Sequence, residues 1–381
     1  MSPSPLQVDL AVIGAGLSGC GLLARLSQRG YSGRVALVEA GRGPGGRMAT
    51  RRSREPGQWR LDHGSPLLQL SSEAERLLEP LLAPLHQQGV LHKEHCSQVA
   101  LDASGAWLPL TAAESGHSWR GAPDMSAIAG ALLNRAPAAW QRLFGVRIRH
   151  LQRQQGRWLL RDAEGTLELE ARQLVLSGTL LAHPRSLAML AWPDVPLREA
   201  VAEGMDPQLD AALAAIALIE ADVRWNLMLA LPSGSALAQR AELPRQLIFT
   251  AAARQRWGLD RLVFQPQADG RLGVVLHGLG QADQLPQDQQ QRLLQVWQEL
   301  EQVLVGEQSG AEVLGLMRWG ASQPTAGALP SELRWCAQSE VGFCGDWLTG
   351  PGYGSGEGAL RSAFELAERL LEQAPGGSLV N

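Results

Sequence analysis

Three glycines near the N-terminus have the spacing G-x-G-x-x-G, in the segment GAGLSG. The first glycine of such a turn allows a sharp bend, and the second lets backbone N–H groups approach an anion. The third lets a helix pack closely on a strand. We therefore predict that Gly14, Ala15, Gly16, Ser18 and Gly19 contact a pyrophosphate.

The segments around this turn predict a βαβ unit. VDLAVI (residues 8–13) is a short apolar run typical of a buried parallel strand, and a helical pattern continues to Gly30. A second strand, RVALVE, ends at Glu39, where a carboxylate can accept hydrogen bonds from both ribose hydroxyls of an adenosine. It would repel a 2′-phosphate, which argues against NADP here. The unit predicts a dinucleotide site, and a plain crossover with packing glycines is the alternative.

The next segment, AGRGPGGRMATRR (residues 40–52), indicates which dinucleotide is bound. Two arginines flank a glycine turn, whereas a simple NAD site needs neither; a flavin dinucleotide extends further and must be covered by backbone. We therefore predict FAD. The contacts expected from this part of the chain are Ala40, Arg42, Gly46, Arg47 and Met48, followed by Gly64 and Ser65.

A second glycine turn lies near the C-terminus, in CGDWLTGPGYGSGEG (residues 344–358). It follows the strand-like run VGFC and precedes an amphipathic helix, so a helix N-terminus would again face the ligand. We predict that it covers the flavin ring and ribityl chain; a flexible glycine linker is the alternative. The expected contacts are Gly345, Asp346, Trp347, Gly356, Glu357 and Gly358.

The elements that must position these turns predict an α/β fold. It would comprise an FAD-binding Rossmann-like domain, with a parallel sheet and a β-meander, plus a mixed-sheet substrate domain. GVRIRHL, GRWLLRDAEG and LELEA alternate like a meander, with Val146 near the adenine, and QLVLSGT (residues 173–179) re-enters the nucleotide sheet. We assign residues 1–64, 121–184 and 335–381 to the FAD-binding domain, and 65–120 and 185–334 to the substrate domain.

Composition excludes several classes of function. The 381 residues suit two domains, and the net charge of −4 argues against a nucleic-acid partner. No basic leader or run of about 20 apolar residues occurs, so we expect a cytoplasmic protein without a membrane partner. Cys20, Cys96, Cys336 and Cys344 form no C-x-x-C pair, which favours buried thiols and no metal site. The sequence does not indicate an oligomeric state.

These segments together resemble the renalase branch of the FAD-dependent amine oxidase superfamily. The matching pieces are IGAGLSG, EAGRGPGGRM, LDHGS, WRGAPDMSAI, the RW of LMRWGASQP, and FCGDW. The resemblance implies a noncovalent FAD and oxidation of dihydronicotinamide isomers, with hydride passing to flavin N5 and then to oxygen. This chain departs from the family pattern at two places. Pro66, Leu67 and Leu68 stand where relatives carry glutamine and aromatic residues, and Met317 stands where a histidine is expected.

Residues on the substrate side are predicted less specifically. We take His63, Trp225, Arg318 and Trp319 as candidates for the catalytic side, with a possible nicotinamide dinucleotide or another small molecule as substrate. Structural histidines, core aromatics and a surface ion pair are the alternatives. The chain has a single lysine, Lys93, and two tyrosines, which argues against an amine oxidase. Amine oxidation, desaturation of an apolar molecule, and flavin binding without turnover remain the alternative functions.

Overall fold

The structure is a computed structural model that describes residues 5–55, 59–94, 98–110, 116–240, 242–280 and 284–373. The strands, in chain order, are β1 (Leu6–Ile13), β2 (Val35–Glu39), β3 (Thr50–Arg52), β4 (Arg60–Asp62), β5 (Leu68–Ser71), β6 (Leu91–Glu94), β7 (Gln98–Leu101), β8 (Trp107–Leu108), β9 (Gly116–Gly121), β10 (Gln141–Phe144), β11 (Ile148–Gln154), β12 (Arg157–Asp162), β13 (Glu168–Leu176), β14 (Glu220–Ala221), β15 (Val223–Leu231), β16 (Gln246–Phe249), β17 (Leu259–Pro266), β18 (Leu272–Gly280), β19 (Glu312–Trp319), β20 (Pro324–Ala326), β21 (Trp335–Cys336) and β22 (Val341–Phe343). The helices are α1 (Leu17–Gln28), α2 (Ser72–Gln87), α3 (Ser126–Asn134), α4 (Arg185–Leu190), α5 (Pro196–Ala200), α6 (Pro207–Ala217), α7 (Ala251–Trp257), α8 (Pro286–Val305) and α9 (Gly356–Glu372).

The first sheet contains the predicted dinucleotide unit. Its parallel part consists of β10, β2, β1, β13 and β22, and β12 and β11 extend it as an antiparallel meander. Most of LELEA and the QLVL of QLVLSGT, predicted as separate runs, lie in one continuous strand, β13. They differ in pattern because the first half of β13 pairs with β12 and the second half with β22. The parallel sheet with a β-meander is thus confirmed.

A second sheet of seven strands has the order β19-β15-β18-β17-β16-β7-β8. Only β16 and β7 run parallel in it, so it is mixed, as predicted. Apolar side chains on one of its faces pack with α7 and α8 into a core that includes Trp257, Leu293 and Trp297. The opposite face packs against the half of the molecule that contains the first sheet, and it also borders a cavity.

The segment 65–120, predicted to belong to the substrate domain, contributes to both halves of the molecule. Helix α2 shares a hydrophobic core with α1, α3 and α9, whereas β7 and β8 join the seven-stranded sheet. The assignment of this segment and the other domain boundaries stay a prediction. No helix among the described residues is both long and apolar enough to cross a membrane.

Strand β4 connects the two halves. Leu61 packs with Met228 and two valines from the second sheet, and Asp62 forms a 2.7 Å ion pair with Arg245. The Asp62 backbone N–H donates to Gln265 Oε1 at 2.8 Å, and the Asp62 carbonyl accepts from Gln265 Nε2 at 3.0 Å. These contacts fix the turn that follows, which carries His63 and Gly64.

Candidate active site

A cavity of about 1540 Å³ lies between the two halves of the molecule. It exceeds the roughly 300–1,000 Å³ typical of a single small-molecule site, so it has room for an extended ligand and a second molecule. Most of the predicted cofactor contacts line it, namely Gly14, Gly16, Ser18, Glu39, Ala40, Arg42, Gly46, Arg47, Met48, Gly64, Ser65, Val146, Asp346, Trp347 and Gly356.

The N-terminal glycine turn presents a helix end to this cavity. Gly16 caps α1, and no side chain satisfies the first backbone N–H groups of the helix. A Cβ at Gly19 would overlap the carbonyl oxygen of Gly14, so Gly19 permits close packing of helix on strand and does not line the cavity. The free N–H groups and the helix dipole favour an anion at this end.

Glu39 lies at the carboxyl end of β2, as predicted, and its carboxylate is oriented by backbone. Oε2 accepts from the Ala15 N–H at 2.8 Å, and Oε1 accepts from the Gly41 N–H at 2.6 Å. Ala15 is fully buried and does not line the cavity, so it contributes through its backbone N–H, which donates to Glu39 Oε2. The Val146 N–H donates to the Glu39 carbonyl at 3.0 Å, so Val146 lies beside the predicted ribose position.

A further glycine turn, at residues 43–46, packs directly on the N-terminal glycine turn. The Gly45 N–H donates to the Ala15 carbonyl at 2.9 Å. Gly46 has a φ of +53°, and a Cβ there would lie 2.9 Å from the Cα of Gly16. Glycine is therefore required at position 46 by both backbone conformation and space.

Arg47 and Asp346 join the N-terminal and C-terminal turns. The guanidinium of Arg47 donates to both carboxylate oxygens of Asp346, with an Nη1–Oδ2 distance of 2.6 Å, and also to the Ser322 carbonyl at 3.1 Å. Asp346 is almost completely buried, so its charge is balanced by this arginine. The pair brings the two ends of the chain to one cavity.

Three predicted contacts in the C-terminal segment have structural roles instead. Glu357 is buried and accepts from the Ser71 N–H at 2.7 Å and from Arg361 Nε at 2.9 Å, which ties α9 to β5. Gly358 packs against the backbone of Gly352, and Gly345 packs against the Trp347 ring. None of the three lines the cavity, although the neighbouring residues Asp346 and Gly356 do.

On the second sheet, strand alternation decides which side chains face the cavity. Asn226 of β15 lies directly opposite Met317 of β19 and His277 of β18, and both Asn226 and His277 line the cavity. Trp225, the neighbour of Asn226, packs on the other face within the core against α8 and does not line the cavity. The structure thus contradicts the prediction for Trp225, because adjacent residues of a strand point to opposite faces.

His63, Trp319 and the pair formed by Asn226 and His277 make one connected group. The His63 and Trp319 rings stack with centroids 5.4 Å apart, and Trp319 lines the cavity. Arg318 borders the cavity too, but its guanidinium lies over the Trp225 ring, 5.8 Å from the centroid, on the other face of the sheet. His63 lies behind Trp319, and its carbonyl accepts from Asn226 Nδ2 at 2.6 Å. Asn226 Nδ2 also lies 3.3 Å from His277 Nδ1, which assigns the proton of neutral His277 to Nε2.

His63 and His277 are neutral at pH 7. Burial, with help from Arg51, lowers the pKa of His63 to about 4, and burial holds the pKa of His277 well below its usual range. Sequence reasoning missed Asn226 and His277. The available signal was a polar side chain within a mostly apolar run: Asn226 in VRWNLMLAL, which also contains Arg224, and His277 in LGVVLHGLG.

Comparison with known proteins agrees with this architecture. Residues 12–83 match the family model of an NAD(P)-binding Rossmann-like domain. A putrescine oxidase variant, from a study of cofactor binding, aligns over 97% of this chain and 100% of its own, with a TM-score of 0.66 and 12% identity. A putative protoporphyrinogen oxidase from Exiguobacterium sp. 255-15 covers the same shares, with a TM-score of 0.64 and 12% identity. A CLA-producing fatty acid isomerase from P. acnes aligns over 95% of this chain and 98% of its own, with a TM-score of 0.64 and 12% identity.

The chain has the amine oxidase-type fold.

Within this amine oxidase-type fold, the residues present fit FAD. The glycine turns leave a backbone-lined groove, and a helix N-terminus faces the cavity from α1 and from α9, whose N-cap Ser355 makes no side-chain cap. Buried polar atoms at the cavity have no partner among the described residues, including Asn226 Oδ1, His277 Nε2 and Trp347 Nε1. Buried polar atoms of this kind are normally satisfied by ligand or water.

The described cysteines take no part in the cavity. Cys20, Cys336 and Cys344 are buried, and burial raises the pKa of each thiol, to about 12 for Cys336 and Cys344. No lysine or tyrosine of the described chain lines the cavity, and Lys93 lies exposed on β6. Among the described residues, no lysine amine or tyrosine hydroxyl is therefore placed to transfer a proton at this site.

Proposed function

We propose that the chain is an FAD-dependent oxidoreductase acting on a small-molecule donor. The observation that carries this is the convergence of three glycine turns and Glu39 on one cavity that continues onto the polar face of the second sheet. FAD in that cavity would accept a hydride from the donor and return both electrons to oxygen, giving hydrogen peroxide. The chain would hold the FAD noncovalently through Glu39, the helix N-termini and the turn around Arg47.

We further propose a dihydronicotinamide-type donor, as in renalases. A dihydronicotinamide needs no general base, because hydride leaves from carbon and the ring becomes aromatic. That agrees with a cavity whose described lining lacks lysine and tyrosine and whose buried histidines are neutral. Catalysis would then rest on orientation of the donor over the flavin and on exclusion of water.

Side chains of the second sheet and of the turn after β4 would bind and orient the donor. Asn226 would orient the donor through Oδ1 and His277 through Nε2–H, since one offers an acceptor and the other a donor. Trp319 would provide an apolar wall, with His63 stacked behind it as a positioning residue.

Amine oxidation or desaturation of a larger apolar molecule is the second candidate function. It is favoured by the fold shared with putrescine oxidase, protoporphyrinogen oxidase and fatty acid isomerase structures. A flavin protein without turnover is the third. A cytoplasmic location and a nicotinamide dinucleotide partner also stay predictions.

Absorption of the purified protein followed by anaerobic stopped-flow mixing separates these candidates. We expect a flavin spectrum, rapid bleaching by a dihydronicotinamide isomer, and no bleaching by putrescine or other amines. Bleaching by amines alone would support the second candidate, and a flavin that no donor bleaches would support the third. A protein that does not take up supplied FAD would overturn the whole proposal.

A further inference from the structure

A second cavity of about 440 Å³ adjoins the first on the substrate side. Arg224, Arg261, Gln323 and Pro324 line both cavities, so the two are adjacent. None of the glycine-turn residues reaches the second cavity. We call it the arginine pocket; its lining is Gln69, Gln98, Asp222, Arg224, Gln246, Ile248, Arg254, Asp260, Arg261, Gln323, Pro324 and Thr325.

Asp260 organises the charges of the arginine pocket. This buried carboxylate forms ion pairs with Arg224 at 2.9 Å, Arg254 at 2.8 Å and Arg261 at 2.8 Å. Burial works to raise the pKa of Asp260, but the three arginines outweigh it and hold the pKa below its usual value. Asp222 adds one further contact, to Arg224 at 2.9 Å. Three arginines against two aspartates leave the pocket with a net positive charge.

The arginines retain capacity for a further acceptor. Each guanidinium carries five N–H donors, and two carboxylates cannot accept from all fifteen. Arg224 Nη1 is buried and makes no hydrogen bond of good geometry within the described chain, although it lies within ion-pair distance of Asp260. The Arg224 side chain is only 10% exposed, so water does not readily satisfy it. A positive cluster with unused donors, built around the buried Asp260 and the nearly buried Arg224, matches an oxyanion.

The sheet places this pocket where a bound donor would reach it. Arg224 precedes Asn226 by two residues on β15, and Arg261 lies opposite His277 on the adjacent strand pair β17–β18. Residues two apart on a strand share a face, so the arginines continue the face that carries Asn226 and His277. A molecule held by Asn226 and His277 could therefore extend along this face into the arginine pocket.

We propose that the arginine pocket binds an oxyanion of the substrate, a phosphate or a carboxylate, remote from the reacting atoms. This inference rests on the proposed function in taking the adjoining cavity as the donor site. It assigns the substrate to extended, anionic molecules and explains why three arginines converge beside the donor site. The glutamines Gln246 and Gln323 would complete the hydrogen bonds to such a group.

Calorimetric titration of the FAD-loaded protein with inorganic pyrophosphate, and separately with malonate, tests the pocket. The variants are Arg254→Gln and Arg261→Gln; Arg254 is 45% exposed, so its replacement should not disturb folding. The control is Arg256→Gln on the same helix, where Arg256 pairs with Glu299 outside both cavities. Loss of one charged hydrogen bond should weaken binding about tenfold or more in both test variants, and binding to the control should be unchanged.

Each outcome decides the proposal. Tighter binding of pyrophosphate than malonate identifies a phosphate, and the reverse identifies a carboxylate. Absence of binding to the wild type, or equal affinity in all variants, overturns the arginine pocket. Flavin uptake is measured independently by visible absorbance, and the titrations are repeated without FAD. A colourless protein whose oxyanion affinity still falls in the Arg261→Gln variant would refute the proposed function alone.

Discussion

Single polar residues in apolar strands carry most of the chemistry on the substrate side. Asn226 donates to the His63 carbonyl and to His277, so it fixes both the turn after β4 and the tautomer of a histidine on another strand. Neither role is visible in the sequence, because the partners are 163 and 51 residues away. The role of Glu39, by contrast, was predictable, because its position at a strand end depends only on local pattern.

Replacement of Glu39 by alanine should weaken FAD binding. A charged hydrogen bond is worth about 1.5–3 kcal/mol, which corresponds to a rise of roughly 10- to 150-fold in the dissociation constant of FAD. Equilibrium dialysis with absorbance detection measures it. Glu164→Ala, in the exposed turn between β12 and β13, is the control and should bind FAD normally. Unchanged FAD affinity in the Glu39 variant would contradict the predicted ribose contact.

The buried neutral histidine His63 predicts acid sensitivity. Its pKa of about 4 in the folded protein lies below the value of about 6.5 in the unfolded chain. The unfolded state therefore takes up a proton as pH falls below about 6.5, and the stabilisation is lost progressively towards pH 4. The shift corresponds to about 3 kcal/mol in the free energy of unfolding between these pH values.

Denaturant unfolding of His63→Asn at pH 7 and pH 4 measures this contribution. The variant should lose less stability on acidification than the wild type by about that amount. His92→Asn, which replaces an exposed histidine, should follow the wild-type profile. A His63 variant with the wild-type pH dependence would show that His63 titrates normally in the folded state.

At the level of elements, local pattern predicted the glycine turns and their strands, but not the faces of the strands in the second sheet. G-x-G-x-x-G between a strand and a helix has one common geometry, so β1, α1 and β2 followed from the sequence. In β15, apolar side chains on both faces hide the period of two, so the sequence alone does not show that Trp225 faces the core. Which side chains of β15 face the cavity becomes clear only from the pairing of β15 with β18 and β19.

The packing of one glycine turn on the other predicts a specific loss in Gly46→Ala. The added methyl would face the Cα of Gly16 at 2.9 Å in a backbone conformation that alanine disfavours. We expect the turn to shift and FAD retention to fall at least tenfold, with a cost of about 1–2 kcal/mol in stability. Gly130→Ala, on α3 beside Pro44, has ordinary contact space and should retain FAD. FAD titration and thermal unfolding of both variants test this.

Strand alternation in β15 predicts that neighbouring substitutions act differently. Asn226→Ala removes a cavity-facing amide and should slow flavin reduction by the donor about tenfold or more, with FAD still bound. Trp225→Phe keeps an aromatic ring in the core against α8 and should leave the reduction rate near that of the wild type. Stopped-flow kinetics compare the two. Equal slowing in both variants would contradict the orientation of β15.

Across the whole molecule, a few long-range contacts hold the two ends of the chain, and the two halves, around the cavity. Arg47 and Asp346 lie 299 residues apart, and Asp62 and Arg245 lie 183 apart. The fold class was predictable, because each unit has its own local pattern. The division of 65–120 between the two halves was not, because the contacts of α2 with α9 and of β7 with β16 are distant in sequence.

The ion pair between Asp62 and Arg245 predicts a large effect on stability. Asp62→Ala leaves the side chain of Arg245 buried without its carboxylate, which costs about 3–5 kcal/mol in the free energy of unfolding. Asp269→Ala breaks an exposed pair with Arg271 and should cost less than about 1 kcal/mol. Denaturant unfolding measures both. Similar losses in the two variants would show that the Asp62 pair does not connect the halves.

A flavin oxidase of the proposed kind releases hydrogen peroxide close to its own sulfur atoms. Peroxide attacks thiolates, and the protonated, enclosed state of Cys20, Cys336 and Cys344 withholds that reactive form. Among the residues that the structure describes, oxidation would therefore begin at thioethers, with Met205, 61% exposed, ahead of the buried methionines. Damage at such a surface position leaves the FAD groove intact, so the catalyst would tolerate its own product.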